Sequence, residues 1–154
     1  MATCFDVASY IIEKLGSLPA MKLQKLVYYS QAWALVWDDE PLFKEPIQAW
    51  INGPIVPELY RVHRGLFKIS HLKIGDSSNL SYNQKDTINH ILDYYGDKNS
   101  QWLSDLTHLE IPWQEARKGL SSYKRGRKQI THASMAEYYS SISSIEELNE
   151  QEKA

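Results

Sequence analysis

The sequence has few of the features that identify a chemistry directly. Its 154 residues include a single cysteine, Cys4, which excludes an internal disulfide and a zinc site built on several cysteines, and fits a reducing cytoplasm. The apolar N-terminal stretch contains Asp6 and Glu13, which argues against a signal peptide. No apolar run approaches the roughly 20 residues that cross a bilayer. The formal net charge of −2 gives no general case for binding nucleic acid or membranes. We therefore expect a cytoplasmic protein without membrane contacts.

Motifs for metal binding and catalysis are also missing. There is no HExxH motif, no phosphate-binding loop and no obvious nucleophile–base pair. The histidines show no metal-ligand spacing; they are His63, His71, His90, His108 and His132. We therefore predict no metal and no other cofactor, and a protein that is not an enzyme.

Aromatic residues and helix signals are abundant instead. The chain contains 5 Trp and 10 Tyr, which favours a large aromatic core, a recognition surface, or both. Apolar residues recur at helical spacing, so we predict a mainly α fold: a compact single α-helical domain over residues 1–142 with a small β element. The acidic segment 143–154 is expected to be a disordered tail.

Capping residues predict where the helices begin and end. We expect helices over Cys4–Leu15 with Thr3 as cap, from Pro19 to Asp38-Asp39 as the central buried helix, from Pro57, from Ser81 to Tyr95, after a Ser100 cap, from Pro112, and after a Ser134 cap to Ile142.

One short segment predicts a half-buried strand. Ile47, Ala49 and Ile51 alternate with Gln48, Trp50 and Asn52, so the two sets should point to opposite faces. Trp50 is then either an exposed anchor for a partner or part of a second core layer. The sequence leaves both open.

The block Thr107–Arg117 contains the best catalytic candidates. His108 and Glu110 could transfer protons and Arg117 could hold an anion. A structural clasp is the favoured alternative, because the block joins two helices and lacks a nucleophile. In that interpretation Arg117 pairs with Glu110. The clasp comprises Thr107, His108, Glu110, Trp113 and Arg117.

A basic patch surrounds Tyr123; it comprises Lys118, Lys124, Arg125, Arg127 and Lys128. Such a patch can be a solvated loop, a docking site for an acidic protein, or a grip on nucleic acid. It does not resemble a helix-turn-helix, so we do not expect nucleic acid as a partner.

Four blocks together resemble the Panacea or SocA-like antitoxin family. They are KLQKLVYYSQAW (Lys22–Trp33), PLF (Pro41–Phe43), IQAWINGPIVPELY (Ile47–Tyr60) and THxExPWxxAR (Thr107–Arg117). The resemblance implies an antitoxin, associated with bacteria or phages, that neutralises a cognate toxin by direct protein–protein binding. It also implies an alternative, since one relative resembles an adaptor that delivers its toxin to a AAA+ protease. A phage-associated enzyme or nucleic-acid-processing factor using His108, Glu110 and Arg117 is the third hypothesis. The predicted protein-binding residues are Gln48, Trp50, Asn52, Tyr60, Tyr123 and Arg125.

Overall fold

The computed structural model describes residues 1–142, which form seven α-helices and two small antiparallel sheets. The helices are α1 Cys4–Leu15, α2 Ala20–Trp37, α3 Pro57–His63, α4 Tyr82–Tyr95, α5 Ser100–His108, α6 Ile111–Ala116 and α7 His132–Ser140. The strands are β1 Leu18–Pro19, β2 Ile47–Trp50, β3 Gly53–Ile55, β4 Lys68–Ile69 and β5 Gln129–Ile130, and Ser77–Asn79 forms a 3-10 turn. The predicted mainly α fold with a minor β component is confirmed. The tail predicted at 143–154 lies outside the described residues.

Helix α2 lies at the centre of the fold, as its pattern predicts. Most of its 18 residues are buried, because α1, α4, α5 and α7 all pack around it. A helix that is apolar on nearly all sides can only be stable when neighbours cover it in this way. Trp33, Tyr28 and Tyr29 are its largest fully buried side chains.

Two of the predicted helix caps are present as expected. The Thr3 hydroxyl accepts from the backbone N–H of Asp6 while the Asp6 carboxylate accepts from the backbone of Thr3, which is a complete capping box. Ser81 and Gln84 form the same reciprocal arrangement at the start of α4. These local hydrogen bonds fix both helix starts before any tertiary packing is considered.

Two other predicted caps were wrong. Asn99, not Ser100, caps α5, and its side chain accepts from the backbone N–H of Trp102. Thr131, not Ser134, caps α7, and the N–H of Ser134 is the donor to its hydroxyl. In both cases an extended residue upstream already offers a side-chain oxygen to the third helical N–H, so the helix starts earlier.

The three-stranded sheet connects distant parts of the chain. Its strand order is β3-β2-β5, with Ala49 opposite Pro54 and Ile47 opposite Ile130. Ile130 is buried, so it anchors the basic segment, residues 118–128, which contain the basic patch, against β2. This pairing brings the residues before Ile130 close to the β2–β3 turn, where the candidate site lies.

Candidate functional site

Glu110 lies at the junction of α5 and α6, in the aromatic core. It is 1% exposed and takes the N-cap position of α6. Its Oε1 accepts hydrogen bonds from the hydroxyls of Tyr29 and Tyr139, both at 2.7 Å. The carboxyl group therefore has two donors from α2 and α7, as a buried polar group requires.

Arg117 does not pair with Glu110, and that prediction was wrong. Within residues 1–142 the structure contains no ion pair between them. The Arg117 guanidinium instead donates to the carbonyl oxygens of Ala49 at 3.1 Å, Ser121 at 3.2 Å and Lys124 at 2.5 Å. The physical reason is that the two residues flank opposite ends of α6, roughly 10 Å apart along its axis at the usual helical rise. Glu110 faces the tyrosines, whereas Arg117 reaches strand β2 and the basic segment.

The other residues of the block also make internal contacts. The Thr107 hydroxyl donates to the carbonyl oxygen of Ser104 at 2.7 Å. The His108 ring stacks on Trp113 with centroids 4.1 Å apart, and burial lowers the pKa of the imidazole. Trp113 Nε1 donates to the carbonyl oxygen of Trp50 at 2.8 Å. Trp113 and Arg117 thus both bond to carbonyls of β2 and hold the strand that carries Trp50.

Trp50 is half-buried. It is therefore neither fully exposed, as an anchor for a partner would be, nor fully buried, as part of a second core layer would be. Its ring meets Tyr60 edge to face with centroids 5.0 Å apart. Its Nε1 donates to Oε1 of Gln48 at 2.9 Å. The β2 pattern of buried and half-buried residues matches the predicted alternation at Ile47 and Ala49. Tyr60 and Gln48 therefore hold the Trp50 ring in place, and part of that ring remains accessible.

The Trp50 ring borders a concave surface that we call the arginine cleft, which has a volume of about 490 Å³. Its defining residues are Trp50, Asn52, Tyr60, Arg64, Arg125 and Arg127. Four of the six predicted binding residues thus come together. Gln48 touches the cleft only through Trp50, and Tyr123, which is 90% exposed, is not among its lining residues.

Sequence reasoning missed Arg64 in this cleft. Arg64 follows Tyr60 by four residues at the end of α3, so both side chains lie on the same helix face. That spacing was visible in the sequence. Arg127 was recognised only as part of the basic patch, and the β2–β5 pairing brings it to the cleft that Trp50 lines.

A second cavity of about 500 Å³ adjoins the cleft, and we call it the lysine cavity. The two concavities share Met21, Asn52 and Tyr60. Lys25 of α2 lines the lysine cavity and is 1% exposed. Burial lowers the pKa of its ammonium group to about 7. Sequence reasoning missed Lys25, although a lysine among the apolar residues of a central helix was the available signal.

The structure adds two observations on metals and membranes. Residues 1–142 contain no group of three or more His, Cys, Asp or Glu side chains placed to hold a metal ion. In the same part of the chain, no helix is long and apolar enough to span a membrane.

Comparison with known proteins identifies the family. Searches of curated proteins and of solved structures found no significant match. The family model described as "Antitoxin SocA-like, Panacea domain" matches residues 23–114, which is more than half of the chain and includes most of α2, the β2–β3 turn and most of the Thr107–Arg117 block. The protein therefore belongs to the SocA-like, Panacea-domain antitoxin family.

Proposed function

We propose that this protein is an antitoxin that binds a cognate protein toxin directly in the cytoplasm, and that the arginine cleft contacts the toxin. Family membership supports the antitoxin role. We choose the arginine cleft as the toxin-binding surface because Trp50, Tyr60 and three arginines line this one concavity.

The chemistry of the cleft suits a protein interface. Trp, Tyr and Arg are the residue types most enriched among binding hot spots, and they act best in partly enclosed positions. The edge-to-face packing of Trp50 on Tyr60 holds both rings in place before binding, which reduces the entropy lost on association.

The charge of the cleft indicates the kind of toxin surface that fits. Arg64, Arg125 and Arg127 all line it. Among the described residues that line it there is no aspartate or glutamate. An acidic patch on the toxin would complement this surface and would speed association at low salt.

The internal contacts of the Thr107–Arg117 block count against the enzyme alternative. Glu110 Oε1 is bonded to two buried tyrosines, and the Arg117 guanidinium is bonded to three carbonyls. Catalytic use of either group would require breaking these bonds. Direct binding needs no such rearrangement, so neutralisation is expected to be stoichiometric.

The test is a titration of the purified protein against its cognate toxin, with toxin activity as readout. Toxin activity should disappear at about one equivalent. Complete neutralisation at a small fraction of one equivalent, in a purified system without protease, would contradict simple binding and favour catalysis. Neutralisation that requires an added AAA+ protease would support the adaptor alternative.

Trp50→Ala tests the surface, with Trp37→Ala as its matched control. Trp37 is also a partly exposed tryptophan but lies at the far end of α2, against Trp33 and His90. Trp50→Ala should weaken the complex by about 2–4 kcal/mol, as expected for a hot spot, while Trp37→Ala leaves affinity unchanged. Equal toxin affinities for the two variants would show that the arginine cleft is not part of the interface.

A further inference from the structure

Lys25 is an exception among the buried polar residues of α2. Gln24 accepts from the N–H of Val56 at 2.8 Å and donates to its carbonyl oxygen at 3.2 Å. Ser30 and Gln31 likewise have partners, at Leu26 and at Phe43 respectively. Lys25 Nζ has no hydrogen-bond partner within the described part of the chain. Buried lysines are rare unless they are paired, so the ammonium group of Lys25, unpartnered within residues 1–142, is a candidate for contact with a ligand or a partner protein.

The surroundings of Lys25 leave space for its side chain. Gly53 has φ +121° and lies directly against it: a Cβ at that position would be 2.5 Å from Lys25 Cε and 3.3 Å from Nζ. Any residue other than glycine would therefore push the end of Lys25 aside. The lysine is thus accommodated by the β2–β3 turn, and it lies on the wall of the lysine cavity.

The cavity supplies no anion for this cation. Of the described residues that line it, none is an aspartate or a glutamate. The nearby titratable groups are His63 on α3 and His108 at the end of α5, and the positive charge of Lys25 contributes to lowering the pKa of both. Tyr60 of α3 is the remaining titratable side chain on the cavity wall. An anion that pairs with Lys25 would therefore have to come from outside the described residues that line the cavity.

The rim of the cavity indicates that the anion arrives on a protein. Leu66 and Phe67 line the cavity and are 54% and 80% exposed, which is unusual for adjacent large apolar residues. The cavity also continues into the arginine cleft through Met21, Asn52 and Tyr60. A free small carboxylate would use the lysine but would leave this apolar rim and the neighbouring arginines uncovered.

We infer that the lysine cavity receives an Asp or Glu side chain of the toxin, whose carboxylate pairs with the Lys25 ammonium while neighbouring apolar toxin residues cover Leu66 and Phe67. This inference rests on the proposed antitoxin function and specifies its recognition chemistry. A partner that supplies the carboxylate satisfies a buried charge that the free protein leaves without a protein partner. A toxin lacking the acidic side chain would leave Lys25 buried and unpaired, which discriminates between toxins.

Pairing has a measurable consequence for protonation. A carboxylate beside Lys25 favours the charged ammonium and raises its pKa, so binding above neutral pH takes up a proton. His63 and His108 contribute to any pH dependence and must be followed in the same titration.

The first experiment follows the Lys25 side-chain resonance of the intact protein by NMR as peptides are added at millimolar concentration. The probe is a capped peptide with one glutamate flanked by leucines, and its control has glutamine instead. Only the glutamate peptide should raise the Lys25 pKa and shift the signals of Leu66 and Phe67. No change with glutamate, or equal changes with glutamine, overturns the inference.

Two further probes identify the source of the carboxylate. An uncharged peptide with a free C-terminus, and acetate alone, should both be weaker than the glutamate peptide. If either raises the Lys25 pKa more than that peptide does, an acidic side chain is the wrong occupant and the inference is overturned.

The second experiment measures toxin affinity for Lys25→Met, with the exposed Lys44→Met as control. Lys25→Met should remain folded, since it removes a buried charge, yet lose roughly 30-fold or more in affinity. Lys44→Met should bind like the unchanged protein. Full affinity of Lys25→Met overturns the inference while leaving the antitoxin function intact. If the unchanged protein itself fails to bind the toxin, the proposed function fails, and the peptide titration alone decides the cavity's chemistry.

Discussion

The hydroxyl of Tyr29 donates a 2.7 Å hydrogen bond to Oε1 of Glu110, across 81 positions of sequence. This bond joins the centre of α2 to the start of α6, so two of the four blocks that resemble the family, Lys22–Trp33 and Thr107–Arg117, meet inside the core. Tyr29 also stacks on Tyr95 of α4 with ring centroids 4.2 Å apart. Tyr29 thus links α2, α4 and the start of α6. Because α6 carries Trp113 and Arg117 directly follows it, these contacts also position both residues relative to α2.

Tyr29→Phe tests this link. The ring and its stacking are retained, but Glu110 loses one of its buried donors, so the free energy of unfolding should fall by about 1.5–3 kcal/mol. The measurement is urea denaturation followed by far-UV circular dichroism. Tyr82→Phe is the control, because Tyr82 is 89% exposed, and its effect should stay within about 0.5 kcal/mol. Equal stabilities of the two variants would show that the hydroxyl of Tyr29 contributes nothing.

Arg117→Lys tests the contacts that replaced the predicted ion pair. A single ammonium group cannot reproduce the planar fork that reaches Ala49, Ser121 and Lys124. At least one of these three carbonyls loses its donor, at a cost of about 1–3 kcal/mol in unfolding free energy if it is the buried carbonyl of Ala49. Amide exchange of residues 121–124 should also become faster. The exposed Arg61→Lys is the control, and a stable Arg117→Lys variant with unchanged exchange would contradict this role.

Gly53→Ala tests the fit between the β2–β3 turn and Lys25. The added Cβ would lie 2.5 Å from Lys25 Cε and 2.9 Å from the Thr107 hydroxyl oxygen. Gly65 is the matched control, since it also has a positive φ but no atom within 4 Å of a built Cβ. Both alanine variants incur backbone strain, about 1–3 kcal/mol, and Gly53→Ala should cost at least about 1 kcal/mol more through overpacking. Thermal or urea unfolding of the pair decides it, and equal losses would refute the close packing.

Lys25→Met tests the cost of burying the amine. The folded-state pKa is about 7 against an ordinary 10.5, so the unfolded chain binds more protons than the native protein between these values. Stability therefore rises as the pH increases from 7 to 10.5. Lys25→Met should be more stable at neutral pH, by on the order of 4 kcal/mol at most, and should lack this part of the rise.

The measurement for Lys25→Met is the difference in unfolding free energy between variant and unchanged protein across that pH range, in which the background from tyrosines and other lysines cancels. Lys44→Met, at an exposed position, should show no such difference. A difference that does not shrink as the pH rises would contradict a depressed Lys25 pKa.

Local signals in the sequence determined the helical class, most helix starts and the central place of α2. Thr3 and Ser81 could be read correctly because a capping box acts over three residues and needs no distant partner. The apolar positions of α2 likewise predicted burial without knowledge of its neighbours. The caps of α5 and α7 were misassigned because Asn99 and Thr131 compete with nearby serines, and the sequence does not show which residue is extended.

Only the tertiary structure decided the partners of the long polar side chains. Arg117 bonds to Ala49, 68 positions away, because the packing of α6 against β2 sets what its guanidinium can reach. The β2–β5 pairing brings Arg125 and Arg127 to the cleft that Trp50 lines, and the packing of α2, α3 and α5 places Lys25 on a cavity wall. Residue type and periodicity determine which faces are buried, since solvation acts at each position separately. Which groups then meet depends on how whole elements pack, and long flexible side chains are the least constrained by their own local sequence.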